Sequence, residues 1–180
     1  MTKKSYSPII TNNTTSTFFD YVDSIDIPQI DYLAIGVQTL RTKKSTSIMS
    51  LPEWQKTFVS NNYADSDPLR RAALFTKRNI IPFNEIDYID NFGKEIMHQR
   101  SLMGIKNGIV LMQRLPKHSY MITLGTGYSK FDPYDFIKRY HDKIDFLKAD
   151  LINLIKKDVI HFLPEEEIAN NTTHLSIDAK

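Results

Sequence analysis

The sequence has no cysteine, and this absence excludes disulfide bonds, thiolate zinc sites and cysteine nucleophiles. It also has no HExxH motif and no two histidines at a metal-ligand spacing, so it predicts no metal site. The five histidines are scattered along the chain, at His98, His118, His141, His161 and His174.

Long apolar runs are missing as well. No segment approaches the ~20 apolar residues that span a membrane. The N-terminal residues contain no apolar stretch of the length found in signal peptides. We therefore expect no membrane contact and a cytoplasmic location, which the lack of cysteine also fits.

Glycine is scarce, with six residues in 180. The stretch "LGTGYSK", residues 124–130, is a glycine-rich turn, but it lacks the GxxxxGK[ST] spacing of a phosphate-binding loop. The chain also has no GxSxG elbow to present a serine nucleophile. These motifs therefore supply no catalytic residue.

What the chain does contain is typical of one globular domain. Hydrophobic residues make up 41% and charged residues 24%, and the net charge of +2 is too small to indicate nucleic-acid binding. We expect a flexible arm over residues 1–14, a folded domain over 15–163, and a polar tail or linker over 164–180.

The order of the predicted elements indicates an α+β fold. Helices are predicted behind Ser16, over 52–62, from Asp67-Pro68 to residue 79, over 86–105, and from Asp132-Pro133 without a break to about Leu163. Strands are predicted over 31–40, near 47–51, and as a hairpin over 107–127. Because strands and helices do not alternate as βαβ units, an antiparallel sheet covered by helices on both faces is favoured.

The last predicted helix carries apolar residues in steps of three and four, at Ile137, Tyr140, Ile144, Leu147, Leu151 and Leu154. One interpretation is a stripe that packs on the sheet. The other is that part of this stripe meets its copy in a dimer. The two interpretations are compatible.

The segment "SLPEWQKTFVSNNYADSDP", residues 50–68, holds the only tryptophan, Trp54. Taken singly, Trp54, Phe58 and Tyr63 are typical core aromatics, and Asp67 before a proline is a typical helix cap. Together they would also suit a site for a small molecule that is polar at one end and apolar at the other.

The spacing of Trp54, Phe58, Tyr63 and Asp67-Pro68 resembles the signature of the autoinducer-binding domain of LuxR-type quorum-sensing regulators. "NIIPFNE" and the glycine step in "SLMGIKNGIVLM" resemble later segments of that family. The resemblance covers about residues 30 to 160. It implies an α-β-α sandwich with a five-stranded antiparallel sheet, and an acyl-homoserine lactone enclosed between the sheet and the helices on one face.

The resemblance also implies roles for particular residues. Trp54 would donate its indole N–H to the lactone carbonyl, Asp67 would accept the amide N–H of the acyl link, and Thr123 would supply a hydroxyl. An apolar wall along the acyl chain would be formed by Phe58, Tyr63, Leu69 and Phe83.

Two positions depart from the family pattern. Ser50 stands where the family has a tyrosine, with Leu51 before the proline, and we count both as predicted ligand-binding positions. Glu85 stands where the family commonly has a second tryptophan; it could exclude a long acyl chain, face solvent, or meet a cationic group. The ligand is therefore expected to be an acyl-homoserine lactone or a related amphipathic signal.

The family's helix-turn-helix domain of about 65 residues is not found after Leu163, so we expect DNA contact only through a domain that this chain lacks. The resulting prediction is a sensor domain, not an enzyme and without a cofactor beyond its signal. We expect it to form a homodimer or to pair with a related regulator. Two alternatives stay open: a ligand-free interaction or antagonist module, and an acyl-transfer enzyme.

Overall fold

The centre of the fold is a five-stranded antiparallel sheet with strand order β3-β2-β6-β5-β4. The computed structural model describes residues 6–7, 10–40, 43–159 and 163–164, and side chains over 10–40 and 43–156. The sheet strands are β2 (Tyr32–Thr39), β3 (Ser45–Met49), β4 (Ile80–Pro82), β5 (Asn107–Arg114) and β6 (His118–Thr126). A separate two-stranded ladder pairs β1 (Tyr6–Ser7) with β7 (Leu163–Pro164).

Five α-helices accompany the sheet within these described ranges: α1 (Asn12–Ser24), α2 (Pro52–Ser60), α3 (Pro68–Phe75), α4 (Asn91–Leu102) and α5 (Pro133–Val159). Two short 3-10 helices lie at Tyr63–Asp65 and Phe83–Glu85. Helix α1 begins inside the segment predicted as a flexible arm, because the Thr11 hydroxyl caps it by accepting the Thr14 N–H. Residues 165–180, which hold almost all of the predicted tail, lie outside the described residues.

Alternating side chains give the sheet two faces, and each face carries its own core. Leu33, Ile35 and Val37 of β2 point to the first core, where α1 and α5 pack. Tyr32 and Ala34 point to the second core, which holds buried residues of α2, α3 and α4. The predicted α-β-α sandwich with a five-stranded antiparallel sheet is therefore confirmed.

The apolar stripe of α5 belongs to the first core. Ile144, Leu147 and Leu151 are fully buried there, so the interpretation that the stripe packs on the sheet is confirmed. The expected unbroken helix is wrong, because Tyr140 has non-helical backbone angles (φ −118°, ψ 20°) inside α5, and Leu163 lies in β7. Among the described residues, none of the helices is both long enough and apolar enough to span a bilayer.

The helix predicted over residues 86–105 is also wrong at its start. Helix α4 begins only at Asn91, because the Asp90 carboxylate accepts the Gly93 N–H at 2.6 Å and so caps the first turn. Ile89, counted as part of the apolar face of that helix, is 88% exposed.

Candidate functional site

The second face of the sheet carries a cavity of about 380 Å³. Its floor is formed by side chains of β2, β3 and β6 that alternate toward this face, and its walls by α2, α3 and the segment between them. Gly36 contributes to the floor without a side chain, and the exposed residues Val59 and Leu74 stand at the outer end. The volume falls within the range of ordinary small-molecule sites.

Three of the predicted ligand-binding residues, Phe58, Asp67 and Thr123, line this cavity. The others lie around the lining rather than in it. Those that are buried in the same core are Trp54, Tyr63, Leu69 and Phe83, and Leu51 packs against that core.

Ser50 is held by the backbone of β2. Its hydroxyl accepts the Leu33 N–H at 2.9 Å, and its own N–H donates to the Leu33 carbonyl at 2.7 Å. Ser50 therefore fixes the end of β3 against β2, and Ser50 is not part of the cavity lining.

Asp67 is both a helix cap and part of a buried ion pair. Its Oδ1 accepts the Leu69 N–H at 3.3 Å, as expected for the cap of α3, and also accepts Arg100 Nη2 at 2.9 Å. The two side chains are only 3% and 4% exposed. Among the described residues no hydrogen bond reaches Oδ2, so one oxygen of a carboxylate on the cavity wall stays available as an acceptor.

The sequence analysis missed Arg100. It lies four residues after the fully buried Ile96 on α4, so helical periodicity places it on the buried face of that helix. Its guanidinium carbon lies 5.3 Å from the centre of the Trp54 ring, which is a cation–π contact. Arg100 Nη1 donates to Met97 Sδ at 2.9 Å, and Nε has no hydrogen-bond partner among the residues that the structure describes.

The sequence analysis also missed Tyr32, whose buried side chain lines the cavity beside this pair. Burial raises the pKa of the Tyr32 phenol; Arg100 opposes this shift, and Asp67 adds to it. The neighbouring Trp54 indole N–H also lowers the pKa of Tyr32, but Trp54 Nε1 reaches no acceptor at hydrogen-bonding geometry among the described residues. Carboxylate, guanidinium and phenol therefore meet in the cavity lining, and the Trp54 ring lies against the guanidinium from outside that lining.

Glu85 takes no part in this group. It forms an ion pair with Arg78 and accepts a hydrogen bond from the Tyr134 hydroxyl at 2.6 Å, and these contacts lower the pKa of the Glu85 carboxyl. Of the three possibilities left open by the sequence, the structure shows the cationic partner, and Glu85 does not line the cavity.

The described residues hold no group of three or more histidine, aspartate or glutamate side chains that could bind a metal ion. The polar end of the cavity is therefore built from one carboxylate and several hydrogen-bond donors. Such a set can bind a small polar head group next to apolar walls.

Comparison with known proteins identifies the class. The family model for the autoinducer binding domain matches residues 16–149, so the chain belongs to this family, whose members in LuxR-type regulators bind signals. No curated protein matches the sequence closely enough to be counted as a relative.

Solved structures of LuxR-type proteins share the fold over most of the chain. CepR2 of Burkholderia cenocepacia, described as an N-acylhomoserine-lactone-dependent LuxR-family transcription factor, gives a TM-score of 0.55 at 17% identity and covers 82% of this chain and 94% of its own. SdiA of Escherichia coli gives a TM-score of 0.60 at 12% identity, and the match covers 92% of this chain and 73% of the SdiA chain. A structure of SdiA in complex with octanoyl-rac-glycerol gives a TM-score of 0.57 at 15% identity, and the match covers 92% of this chain and 79% of the SdiA chain. At these identities the similarity establishes the fold alone.

Proposed function

We propose that this chain is the sensor domain of a LuxR-type quorum-sensing system. It binds an acyl-homoserine lactone or a related amphipathic signal in the cavity beside β2, β3 and β6. Binding stabilises the folded chain and its dimer. The observation that carries the proposal is a cavity of about 380 Å³ that has a buried Asp67–Arg100 pair at one end and largely apolar walls.

The cavity separates the two kinds of contact that such a signal needs. Phe58, Met49 and Met121 offer apolar surface for an acyl chain. At the other end Asp67 Oδ2 can accept an amide N–H, and the Thr123 hydroxyl can donate to a carbonyl oxygen. Since a buried carboxylate is costly without donors, this end selects for a ligand that carries an N–H.

The acyl-transfer alternative has little support at the glycine-rich turn. The Gly127 N–H donates to the Asp31 carboxylate at 3.2 Å, so a negative charge already occupies the place where a phosphate would have to bind. The following helix, α5, begins only at Pro133 and does not open directly from the turn. A ligand-free interaction module would need a filled interior, and the cavity argues against this second alternative as well.

A substitution at Gly36 tests the proposed function directly. We expect wild-type protein to gain several degrees of thermal stability with a matching lactone, because ligand at 100 times its Kd adds about 2.7 kcal/mol. For a domain of this size that is ~5–10 °C in Tm. Gly36→Leu should abolish the gain, since its side chain would occupy the cavity floor. Differential scanning calorimetry across a panel of acyl lengths provides the measurement.

The matched control is Gly36→Ala. The nearest atoms to a Cβ at this position lie 3.6 Å away, which is ordinary contact, and the added volume is small. It should fold like the wild type and keep most of the ligand response. A ligand response that survives in Gly36→Leu would place the signal outside this cavity, and no response to any acyl compound in the wild type would remove the proposal.

The dimer part of the proposal has its own test. Because the apolar stripe of α5 is buried against the sheet, a dimer through this helix must use its outward side, where Phe146 is 72% exposed. Phe146→Asp is expected to weaken self-association by about tenfold or more, while the monomer keeps its fold. Sedimentation equilibrium with and without ligand measures this. An unchanged dimer constant would show that α5 is not the contact.

A further inference from the structure

The polar end of the cavity offers more hydrogen-bond donors than the protein itself satisfies. A guanidinium has five N–H groups. Among the described residues Arg100 makes two hydrogen bonds, to Asp67 Oδ1 and to the weak acceptor Met97 Sδ, and its Nε has no partner there. The Trp54 Nε1, which lies next to Arg100 but outside the cavity lining, also has no hydrogen-bond partner within the described part of the chain. Buried donors without acceptors are destabilising, so this arrangement favours an acceptor-rich ligand.

The charged side chains that line the cavity also favour a ligand with acceptor groups. Among the described residues its lining includes one carboxylate, Asp67, and two guanidinium groups, Arg70 and Arg100. Arg70 is paired with Asp65, but that carboxylate is 96% exposed and lies outside the lining. The lining itself therefore carries an excess of positive charge, which suits an anionic head group.

Asp67 adds a requirement for a donor in the ligand. Arg100 and the cap of α3 both use Oδ1, which leaves Oδ2 as an acceptor. A head group that carries both an N–H and an anionic acceptor would satisfy both residues of the pair: the N–H would bind Asp67, and the acceptor would bind Arg100. A carboxylate matches the guanidinium better than a single carbonyl does, because its two oxygens accept two parallel N–H groups.

We propose that the signal is an N-acyl amino acid, with its carboxylate on the Arg100 guanidinium and its amide N–H on Asp67 Oδ2. The Trp54 ring stacks on the guanidinium and holds it in position, and the acyl chain follows the apolar wall. This proposal rests on the proposed sensor function and makes Arg100 the residue that distinguishes an open, charged head group from a lactone ring.

Four probes with the same acyl chain test it by isothermal titration calorimetry: N-octanoylglycine, its methyl ester, N-octanoyl-homoserine lactone and octanoate. N-octanoylglycine is expected to bind at least ~10-fold more tightly than the ester and the lactone, which lack the charge. Octanoate should also bind more weakly than N-octanoylglycine, because it has no N–H for Asp67.

The decisive variant replaces both members of the buried ion pair by neutral residues. Asp67→Asn/Arg100→Gln keeps two polar side chains of similar size and leaves no unpaired charge, so the fold should survive. In this double variant, the affinity for N-octanoylglycine divided by the affinity for its methyl ester should fall to about one. The matched control, Arg78→Gln/Glu85→Gln, removes an ion pair outside the cavity and should leave the ratio as in the wild type.

The outcomes are distinct. Equal or tighter binding of the ester or the lactone by the wild type would overturn the acidic head group and leave the sensor function standing. An acid preference that persists in Asp67→Asn/Arg100→Gln would show that the carboxylate is not on Arg100, and would overturn the assignment. If none of the four probes binds, the proposed function fails for acyl compounds, and this inference fails with it.

Discussion

Replacing Arg100 by glutamine is expected to lower the free energy of unfolding by about 3–5 kcal/mol. The change removes the charged partner of Asp67 and leaves a carboxylate that is 3% exposed without a counter-ion. Removing one member of a buried pair costs far more than the pair contributes, because the remaining charge stays desolvated. For a domain with a total stability of ~5–15 kcal/mol, much of the fold's stability would be lost. Urea denaturation followed by circular dichroism measures the change.

An exposed ion pair that also joins α3 to α4 provides the control. Arg71 of α3 pairs with Asp90 at 3.0 Å, and both side chains are about half exposed (53% and 49%). Arg71→Gln should therefore change the denaturation midpoint very little. The double variant Asp67→Asn/Arg100→Gln should recover most of the stability lost in Arg100→Gln. If Arg100→Gln were no more harmful than Arg71→Gln, the buried pair would have to be well solvated through the cavity.

Gly108→Ala is also expected to lower the free energy of unfolding, by about 3 kcal/mol or more. A Cβ at this position would lie 2.1 Å from the Leu124 carbonyl oxygen, and the backbone has φ +155°, which residues with side chains rarely adopt. Gly108 faces Gly125 across the β5–β6 pair, so β6 can give no room without disturbing the sheet. We expect the variant to accumulate mostly as insoluble or partly unfolded protein, as judged by soluble yield and near-ultraviolet circular dichroism.

Gly36→Ala is again the matched control, since Gly36 also lies in a strand of this sheet. Its backbone φ is not positive, and its nearest neighbours would be 3.6 Å from the new Cβ. The substitution should be neutral or slightly stabilising, because alanine has less conformational freedom to lose on folding. Similar yields for Gly108→Ala and Gly36→Ala would mean that the β5–β6 pair can separate locally, contrary to the geometry described here.

Much of the fold could be predicted because its signals are local. The hairpin of β5 and β6 follows from two β-rich runs around a turn, and α3 follows from Asp67 before Pro68. The failure at residues 86–90 is also local in origin. Ile86 and Ile89 continue the helical spacing of α4, but the Asp90 side chain bonds the Gly93 N–H and starts the helix there. The spacing of hydrophobic residues does not show where a polar side chain caps a helix and so sets its first residue.

The candidate site could be predicted only in part, because its decisive contact joins residues that are 33 positions apart. Of the segment from Trp54 to Asp67 that the sequence singled out, Phe58 and Asp67 line the cavity. Arginine is rarely buried, so nothing in the sequence singles out Arg100 as a residue of the site. Tyr32 lies in the strand predicted over 31–40, and its phenol comes near Asp67 and Arg100 because α3 and α4 pack on that face of the sheet.

The position of the single tryptophan gives the chain an optical property of its own. Trp54 is fully buried and lies against the Arg100 guanidinium. Excitation at the red edge, where tyrosine does not absorb, therefore collects emission from one indole beside the polar end of the cavity. Because a neighbouring charge shifts the energy of the excited indole, any ligand that moves or neutralises the guanidinium would change the colour of that emission. Under the proposed function, this emission would report occupancy of the cavity without a label.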